Sequence, residues 1–464
     1  MPIYIYNTLS RKKEEFKPLN PPEVKMYTCG VTVYDDCHIG HARSLYIFYV
    51  IKRYLEYRKF KVKFVRNITD IDDKIINKAR QSGIAWQEIA DRFIDSYRQD
   101  IKLLGIDTAD KEPKATESIE DMIKHISGLL DKGYAYVANS GVYFSVRKFK
   151  DYGKLSGQGI DQMLSGVRIE ADEGKQDPLD FALWKTSKPD EPYWPSPWGM
   201  GRPGWHIECS AMSMKYLNTS TLDIHAGGRD LIFPHHENEI AQAEALTGKA
   251  FARYWIHHGL LTVNGQKMAK SQGNFVTIKD FIRRYRDADI LKLFFLTTHY
   301  SNPADYSGEK IAEAKKQKKS FDDFFDKVNS WQNVKKSEPS VEDKAKIDGI
   351  CAKFEQAMDD DFNTPAALAS LFELIDLASF FISSDKEDVF KYAKSRLELF
   401  FNIFGLKVKA IEIPEEEKKM LEKRNQARKN KEFDTADAIR EEIKKKFKHI
   451  VSDTNGSVTL TQAE

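Results

Sequence analysis

Two histidines three positions apart, His38 and His41, enclose an Ile-Gly pair near the start of the 464-residue chain. They fall where a strand pattern gives way to helical spacing, which places them in the first turn of a helix. A helix N-terminus presents unpaired N–H groups and a partial positive charge, which favour phosphate. Two imidazoles on one face of this turn could donate to phosphate oxygens, and Gly40 permits close approach of the ligand. The alternative is a pair of histidines that only cap the helix.

A lysine-containing loop is the second candidate. The run Lys267-Met268-Ala269-Lys270-Ser271 lies between Gly265 and Gly273. Glycines on both sides favour a mobile loop that carries two ammonium groups to a ligand. An ammonium is a compact point charge suited to a polyphosphate. The alternative is an exposed lysine loop without a ligand.

Four dispersed donors form a third candidate set. Cys29 ends a predicted strand, Cys209 lies in Trp205-His206-Ile207-Glu208-Cys209, and His235 and Glu239 are four apart on one helix face. Two thiols, an imidazole and a carboxylate suit Zn²⁺. No Cys-x-x-Cys spacing supports the set. The cysteines could equally be ordinary buried residues, and acidic residues are normal in a first helical turn.

The elements that must position these groups alternate between strand and helix. A strand over 24–30, a helix from Ile39, a strand over 61–68 and a helix over 71–80 make a βαβ unit with a parallel sheet. Such sheets bind ligands at the carboxyl ends of their strands, where Cys29 falls. Residues 115–205, rich in Gly and Pro, are typical of an irregular insertion. A strand over 221–225, a turn over 226–228 and a helix from Pro234 to Leu246 then resume the pattern.

The C-terminal third of the chain is predicted to be helical. Helical periodicity with few glycines covers residues 281–296, 311–328, 341–359 and 364–382. Five lysines fall between positions 310 and 319. They fit a solvated helix face or, alternatively, an RNA-binding surface.

Composition limits the classes of protein to consider. The net charge of +2 gives no global basic field for a nucleic acid, so such a partner would need locally segregated charge. Four cysteines exclude a disulfide scaffold and fit a reducing compartment. We find no signal-peptide pattern and no stretch of 18 uncharged apolar residues, so we expect a cytoplasmic protein that does not span a membrane.

The histidine pair and the lysine loop, about 230 residues apart, resemble the signature motifs of class I aminoacyl-tRNA synthetases. Ala269 stands where that class usually has Ser. Further segments resemble the cysteinyl-tRNA synthetases within the class, and Ala226 stands where that family usually has Gly. These segments are Thr28-Cys29-Gly30, Asn67 to Lys74, Gly204 to Ser210, Phe233 to Glu239, and Met358 to Thr364.

The resemblance implies an activity and a set of roles. It implies ATP-dependent ligation of L-cysteine to its tRNA through a cysteinyl-adenylate, with Mg²⁺ accompanying ATP. It implies that His38, His41 and Lys270 are catalytic and that they bind ATP together with Lys267. One Zn²⁺ per subunit would bind Cys29, Cys209, His235 and Glu239 and select the substrate thiolate, while Thr69, Trp205 and Asp230 would contact the amino acid. Cys37 and Cys351 are expected to be structural or surface residues, and the protein to be a monomer.

The resemblance also divides the chain. It implies a Rossmann-like catalytic domain in two halves around an inserted domain, followed by helical tRNA-binding regions. The expected segments are 1–114 (first catalytic half), 115–204 (connective insertion), 205–260 (second half), 261–309 (stem-contact region with the lysine loop), 310–405 (anticodon-binding helical bundle) and 406–464 (small C-terminal domain).

Two other functions stay open at this stage. One is an ATP-dependent ligase that joins cysteine to a small-molecule amine, as in mycothiol synthesis. Such enzymes resemble a synthetase without the tRNA-binding helices, so the roughly 150 residues after position 310 favour the tRNA ligase. The other is an RNA-binding relative without catalysis, which the intact histidine and lysine motifs disfavour.

Overall fold

A computed structural model describes residues 1–160, 162–163, 174–330, 340–384, 386–407, 413–454 and 457–462. The chain forms two compact units. The first contains Met1–Ala288, Tyr300–Tyr306 and Asp360–Phe362. The second contains Asp289–His299, Ser307–Asp359 and Asn363–Glu464.

A four-stranded parallel sheet forms the centre of the first unit. Its strands are β3 (Glu23–Thr28), β4 (Lys61–Arg66), β9 (Leu222–Gly228) and β10 (Ala252–His258), in the order β10-β9-β3-β4. Strands from both ends of the unit's sequence therefore pair side by side. This confirms the expected Rossmann-like sheet assembled from two halves. The carboxyl ends of β3 and β9 meet at one edge, which brings the segments after residues 28 and 228 together.

Helices connect these strands and cover the sheet. Local signals explain their ends: the His38 side chain caps the first helix, Asp72 caps the second, and Gly83, Gly105 and Gly248 end helices with positive φ angles. The helices are α1 (Ile39–Tyr57), α2 (Asp73–Ser82), α3 (Trp86–Leu104), α4 (Ile119–Asp131), α5 (Trp205–Leu217), α6 (Glu237–Thr247) and α7 (Ile278–Tyr285).

The insertion is more regular than its glycines and prolines predict. Short strands β5 (Ala135–Ala138), β6 (Gly141–Phe144), β7 (Phe181–Thr186) and β8 (Gly201–Pro203) form an antiparallel sheet in chain order. The prediction of an irregular segment was therefore wrong for these residues. Each strand is only three to six residues long, so the turn residues dominated the pattern.

The prediction of a turn after His225 is also wrong. Strand β9 continues through Ala226 to Gly228, and Ala226 pairs with both Ile256 and Thr28. Ala226 is not among the residues with positive φ, so alanine suits the strand as well as glycine would. The extension carries the strand to the edge of the sheet where the candidate residues gather.

Smaller elements complete the two units. The first also holds the hairpin of β1 (Tyr4–Asn7) and β2 (Lys12–Glu15) and a sheet of β11 (Leu261–Val263), β12 (Gln266–Lys267) and β13 (Ala304–Tyr306). The second holds α9 (Gly308–Ser330), α10 (Val341–Asp359), α11 (Thr364–Ser383), α12 (Glu387–Ile403), α13 (Glu415–Lys429), α14 (Phe433–Phe447) and the hairpin β14 (His449–Thr454) and β15 (Ser457–Gln462). The single helix predicted over residues 281–296 is two helices in the structure, α7 and α8 (Ala288–Leu296), because Arg286 ends α7 with a positive φ.

The second unit packs around aromatic side chains. Phe354 stacks on Phe400 with ring centroids 3.8 Å apart, and Phe321 contacts Phe372 and Phe401. One stretch, Thr364–Ile382, is long and apolar enough by composition to cross a membrane, with mean hydropathy 1.6. Half of that stretch is buried against the rest of the structure, as in the core helix of a helical bundle. This helix therefore carries no argument for a membrane protein.

Candidate functional site

The four predicted metal donors converge at the edge of the parallel sheet. Cys29 follows β3, Cys209 lies on α5, His235 precedes α6 and Glu239 lies in its first turn. Their donor atoms all lie within 4.8 Å of one another, although the residues span 210 positions of sequence. All but Cys29, which is half-buried, are buried. Sulfur, nitrogen and oxygen donors at this spacing match the donor types of a tetrahedral zinc site.

The imidazole of His235 has one ring nitrogen with a hydrogen-bond partner and one without a partner among the described residues. Its Nδ1 lies 3.0 Å from Nδ1 of His206, so one ring atom already has a hydrogen-bond partner. Its buried Nε2 lies 3.0 Å from Oε1 of Glu239 without forming a hydrogen bond of acceptable geometry. A buried, unsatisfied nitrogen among two thiols and a carboxylate is the arrangement that a divalent cation satisfies.

Charge in the cluster favours a cation as well. Burial opposes ionisation of Glu239, but the nearby His225 and His235 imidazoles hold its pKa well below the usual range. Burial likewise opposes ionisation of Cys209, yet the neighbouring Cys29 thiol and His235 imidazole lower its pKa to about 6. Burial raises the pKa of the Cys29 thiol. The protein therefore stabilises a carboxylate and a thiolate in a dry site, where a cation would neutralise both.

A ring of histidines, absent from the residues predicted above, surrounds the cluster. His225 Nε2 lies 2.7 Å from Oε2 of Glu239, and His236 Nε2 lies 3.2 Å from Sγ of Cys29. His236 Nδ1 in turn lies 2.7 Å from Nε2 of His257. Cys29, His225, His236 and Glu239 therefore form an alternative set of donors within 4.8 Å. The adjacent histidines at 235–236 and 257–258 are the sequence feature from which this ring could have been predicted.

Asn67 joins the segments that carry the two cysteines. Its Oδ1 accepts from the Gly30 N–H at 2.8 Å and lies 3.6 Å from Sγ of Cys209. Its Nδ2 donates to Thr69 Oγ1 at 3.1 Å, and Thr69 donates to the buried Glu208 at 2.6 Å. A Cβ at Gly30 would lie 1.5 Å from the Asn67 carbonyl oxygen, so only glycine fits there. This network fixes the turn after β3 against the start of α5.

The histidine pair caps α1 and presents two ring nitrogens. His38 Nδ1 accepts from the N–H groups of Gly40 at 3.0 Å and His41 at 3.3 Å, while His41 Nδ1 accepts from the His38 N–H at 3.3 Å. The rings stack with centroids 3.8 Å apart. Because both Nδ1 atoms accept, both Nε2 atoms carry the proton and can donate to a ligand. Capping and ligand binding are therefore compatible roles.

Burial keeps both imidazoles neutral. It lowers the pKa of His38 to about 4 and that of His41 well below its usual range. They therefore offer hydrogen bonds to phosphate and no net charge at neutral pH. The glycine between them has a packing role, and its part in ligand access stays a prediction. A Cβ at Gly40 would lie 2.8 Å from the His38 ring, so glycine makes room for the capping imidazole.

The lysine loop is tied to the histidine turn through the backbone. Ile39 N–H donates to Val276 at 3.0 Å, and Ile278 N–H donates to Cys37 at 2.9 Å. Lys267 and Lys270 are exposed, and the Lys270 ammonium contacts the Asp35 carboxylate. Two motifs far apart in sequence thus occupy one region of the structure.

The remaining predicted residues lie near the same edge of the sheet. Trp205 is 40% exposed and stacks on the His235 ring at 4.2 Å, Thr69 is buried, and Asp230 is exposed in the turn after β9. Cys37 is buried next to α3, and Cys351 is half-buried on α10. Neither of these two cysteines belongs to a group of metal donors among the described residues.

Comparison with known proteins gives the same picture. Residues 15–316 match the family of tRNA synthetases class I (C) catalytic domains, and residues 353–409 match the DALR domain family. A Cysteine--tRNA ligase of Thermodesulfovibrio yellowstonii is 50% identical over 95% of both chains. One of Persephonella marina is 50% identical over 96% of both chains.

Solved structures share the fold at low sequence identity. A methionyl-tRNA synthetase of Mycobacterium tuberculosis in complex with methionyl-adenylate has a TM-score of 0.58 at 16% identity, covering 82% of this chain and 89% of its own. A LeuRS of Agrobacterium radiobacter in a ternary complex with tRNA has a TM-score of 0.61 at 12% identity, covering 84% of each chain. These likenesses confirm the class I synthetase fold.

Proposed function

The chain belongs to the cysteine–tRNA ligase family of class I tRNA synthetases, and we propose that it joins L-cysteine to its tRNA through a cysteinyl-adenylate made from ATP. The observation that carries this proposal is the convergence of Cys29, Cys209, His235 and Glu239 at the carboxyl end of β3, the strand that leads into α1. A soft donor set recognises sulfur, and the helix N-terminus recognises phosphate. The reaction needs both.

We infer that these four residues hold one Zn²⁺ ion. The unsatisfied His235 Nε2 and the low pKa of Glu239 support this choice. When bound, the ion supplies affinity for a sulfur ligand that a hydroxyl or methyl group cannot match. An apolar pocket would separate cysteine from serine or alanine by only about 1–3 kcal/mol, whereas translation needs far more. His225 and His206 orient Glu239 and His235 through hydrogen bonds.

The activation step depends on positioning and charge. The cysteine carboxylate attacks the α-phosphorus of ATP, and pyrophosphate leaves with the electron pair of the broken P–O bond. His38 and His41 donate from their Nε2 atoms to the phosphates as neutral rings. Lys267 and Lys270 neutralise charge on the leaving pyrophosphate, for which Mg²⁺ is the expected companion.

The other groups of the cysteine substrate contact residues at the same edge of the parallel sheet. Trp205 lies on the His235 ring and limits the space beside it. Thr69 Oγ1 already accepts from Asn67 and donates to Glu208, so its second lone pair is suited to accept from an ammonium group. Asp230 offers a carboxylate to the same group. We assign these three residues to amino-acid binding.

Transfer to tRNA uses the rest of the chain. We assign residues 1–114 and 205–260 to the catalytic domain, 115–204 to a connective insertion and 261–309 to contact with the tRNA stem. We assign 310–405 to an anticodon-binding bundle and 406–464 to a small C-terminal domain; the match of residues 353–409 to the DALR family supports this order. We place the enzyme in the cytoplasm. We also propose that it is a monomer, and analytical ultracentrifugation with and without tRNA tests this oligomeric state.

Two assays test the proposal. ATP–pyrophosphate exchange should depend on cysteine and stay at background with serine. Charging of tRNA transcripts should then be specific for the cysteine tRNA. Exchange that proceeds equally with serine would refute the role of the metal donors, and normal exchange without tRNA charging would indicate a ligase that acts on a small amine.

A further inference from the structure

The residues just before the histidine turn form an anionic contact for the lysine loop. Lys270 Nζ contacts Oδ2 of Asp35, which lies three positions before His38. Lys78 of α2 reaches the same oxygen at 4.0 Å. The other oxygen, Oδ1, accepts from the Asp36 N–H at 3.0 Å, which fixes the orientation of the carboxylate. Asp35 is 20% exposed and Lys270 is 58% exposed, so the pair sits at the surface of the site.

An aromatic ring connects this pair to the histidines. The Lys270 ammonium lies 5.0 Å from the centroid of the Phe275 ring, and that ring meets His38 edge-on at 5.4 Å. The loop itself is supported by Asn274, which accepts from Ala269 N–H at 2.8 Å and donates to the Lys267 carbonyl at 3.1 Å. Lys270 therefore stands beside the turn that begins α1, where the Asp35 carboxylate neutralises its charge.

The adjacent carboxylate has different partners. Asp36 accepts from Lys279 on α7 at 2.8 Å and from Ser96 on α3 at 2.5 Å. Neither partner belongs to the lysine loop. Two neighbouring acids of equal charge thus make separate contacts, one with the loop and one with the helices behind it.

We propose that Asp35 is a positioning residue that holds Lys270 beside the site in the free enzyme and competes with the ATP triphosphate for its ammonium group. Binding of the triphosphate exchanges one anionic partner of Lys270 for another. The carboxylate thereby keeps the lysine loop ordered before ATP binds. It also weakens the binding of pyrophosphate to Lys270, which favours pyrophosphate release. This inference rests on the proposed role of Lys270 at the phosphates.

Binding of ATP and of inorganic tripolyphosphate to the full-length protein, measured by calorimetry without cysteine, tests the competition. Asp35→Asn should tighten both by about two- to fivefold, the range that an exposed ion pair is worth. In a Lys270→Met background the same change should have little effect. Equal tightening in both backgrounds would show a general field effect and overturn the proposal, as would no tightening in either.

Hydrogen exchange of residues 264–274 provides the second readout. In the free protein, Asp35→Asn should speed exchange there, and Asp35→Glu should restore slow exchange. Asp36→Asn removes the same charge one position away and should leave both loop exchange and the coupling to Lys270 unchanged. If Asp36→Asn reproduces the effects of Asp35→Asn, the proposal fails. The exchange and tRNA-charging assays of the unmodified protein are independent of these results, so they decide the proposed function separately.

Discussion

Replacing His38 separates its capping role from its proposed role in ATP binding. Its Nδ1 satisfies the N–H groups of Gly40 and His41, while its Nε2 is left for a ligand. Asparagine is among the preferred N-cap residues, but it is too short to present a donor where the imidazole Nε2 lies. His38→Asn and His38→Ala therefore form a matched pair. Both lack the Nε2–H donor, and only the second lacks the cap.

The two variants should differ in stability and agree in activity. Loss of a cap costs about 0.5–2 kcal/mol, so His38→Ala should be less stable by about 1 kcal/mol, and His38→Asn should stay within about 0.5 kcal/mol of the original protein. Loss of a donor to a transition-state oxygen costs about 10²–10³ in rate. Both variants should therefore slow cysteine-dependent ATP–pyrophosphate exchange to that extent.

Urea denaturation followed by circular dichroism gives the stabilities, and pyrophosphate exchange with saturating cysteine gives the rates. If His38→Asn exchanges pyrophosphate at nearly the original rate, Nε2 contributes nothing to activation and the proposed role of His38 is refuted. Equal losses of stability in both variants would show that capping α1 is not the structural role of this ring.

Three further substitutions test other parts of the account. Cys209→Ser should lower the zinc content and abolish the preference for cysteine over serine while ATP affinity, measured by calorimetry, stays within about threefold; unchanged cysteine affinity would exclude Cys209 as a donor. Asp100 is buried on α3, and both of its carboxylate oxygens lack a hydrogen-bond partner among the described residues. Burial and the nearby Asp36 raise its pKa to about 6, although Lys279 opposes the shift. Ionisation of Asp100 therefore lowers the stability of the folded protein as the pH rises from about 4 through 6. Asp100→Asn should therefore be more stable than the original protein by about 1–3 kcal/mol at pH 7.5 and equal to it at pH 3.5, and a constant difference in urea denaturation at both values would contradict this. Gly30→Ala should abolish cysteine-dependent exchange because its Cβ would lie 1.5 Å from the Asn67 carbonyl oxygen; normal activity and zinc content would show that the turn after β3 can move freely.

The parallel sheet was predictable because its signals are local. The strand–helix–strand rhythm between residues 24 and 80 follows from side-chain periodicity, and one βαβ unit already requires parallel strands. The helix ends at Gly83 and Gly248 follow from single residues that adopt positive φ. The insertion was harder, because its strands are too short for an alternating pattern to outweigh the turn residues between them.

The candidate site was predictable in its donors but not in its surroundings. The four donors were found through motifs, and the structure brings them together. Asn67 contacts residues that lie 37 and 142 positions away in the sequence, and His225 contacts one that lies 14 positions away. No local sequence pattern encodes such contacts. Gly40 also makes room for the His38 ring, a contact that the spacing of the motif does not reveal. Side-chain packing, not spacing, decides such roles.

The measurement that bears most directly on the account is metal analysis of the purified protein before and after treatment with a chelator. The donor set predicts one zinc ion per chain. It also predicts that removing zinc abolishes cysteine-dependent pyrophosphate exchange, leaves ATP binding largely intact, and is reversed by added zinc. A protein that activates cysteine without zinc, or that keeps its preference over serine after the metal is stripped, would contradict the claim that these four residues select the substrate through a metal.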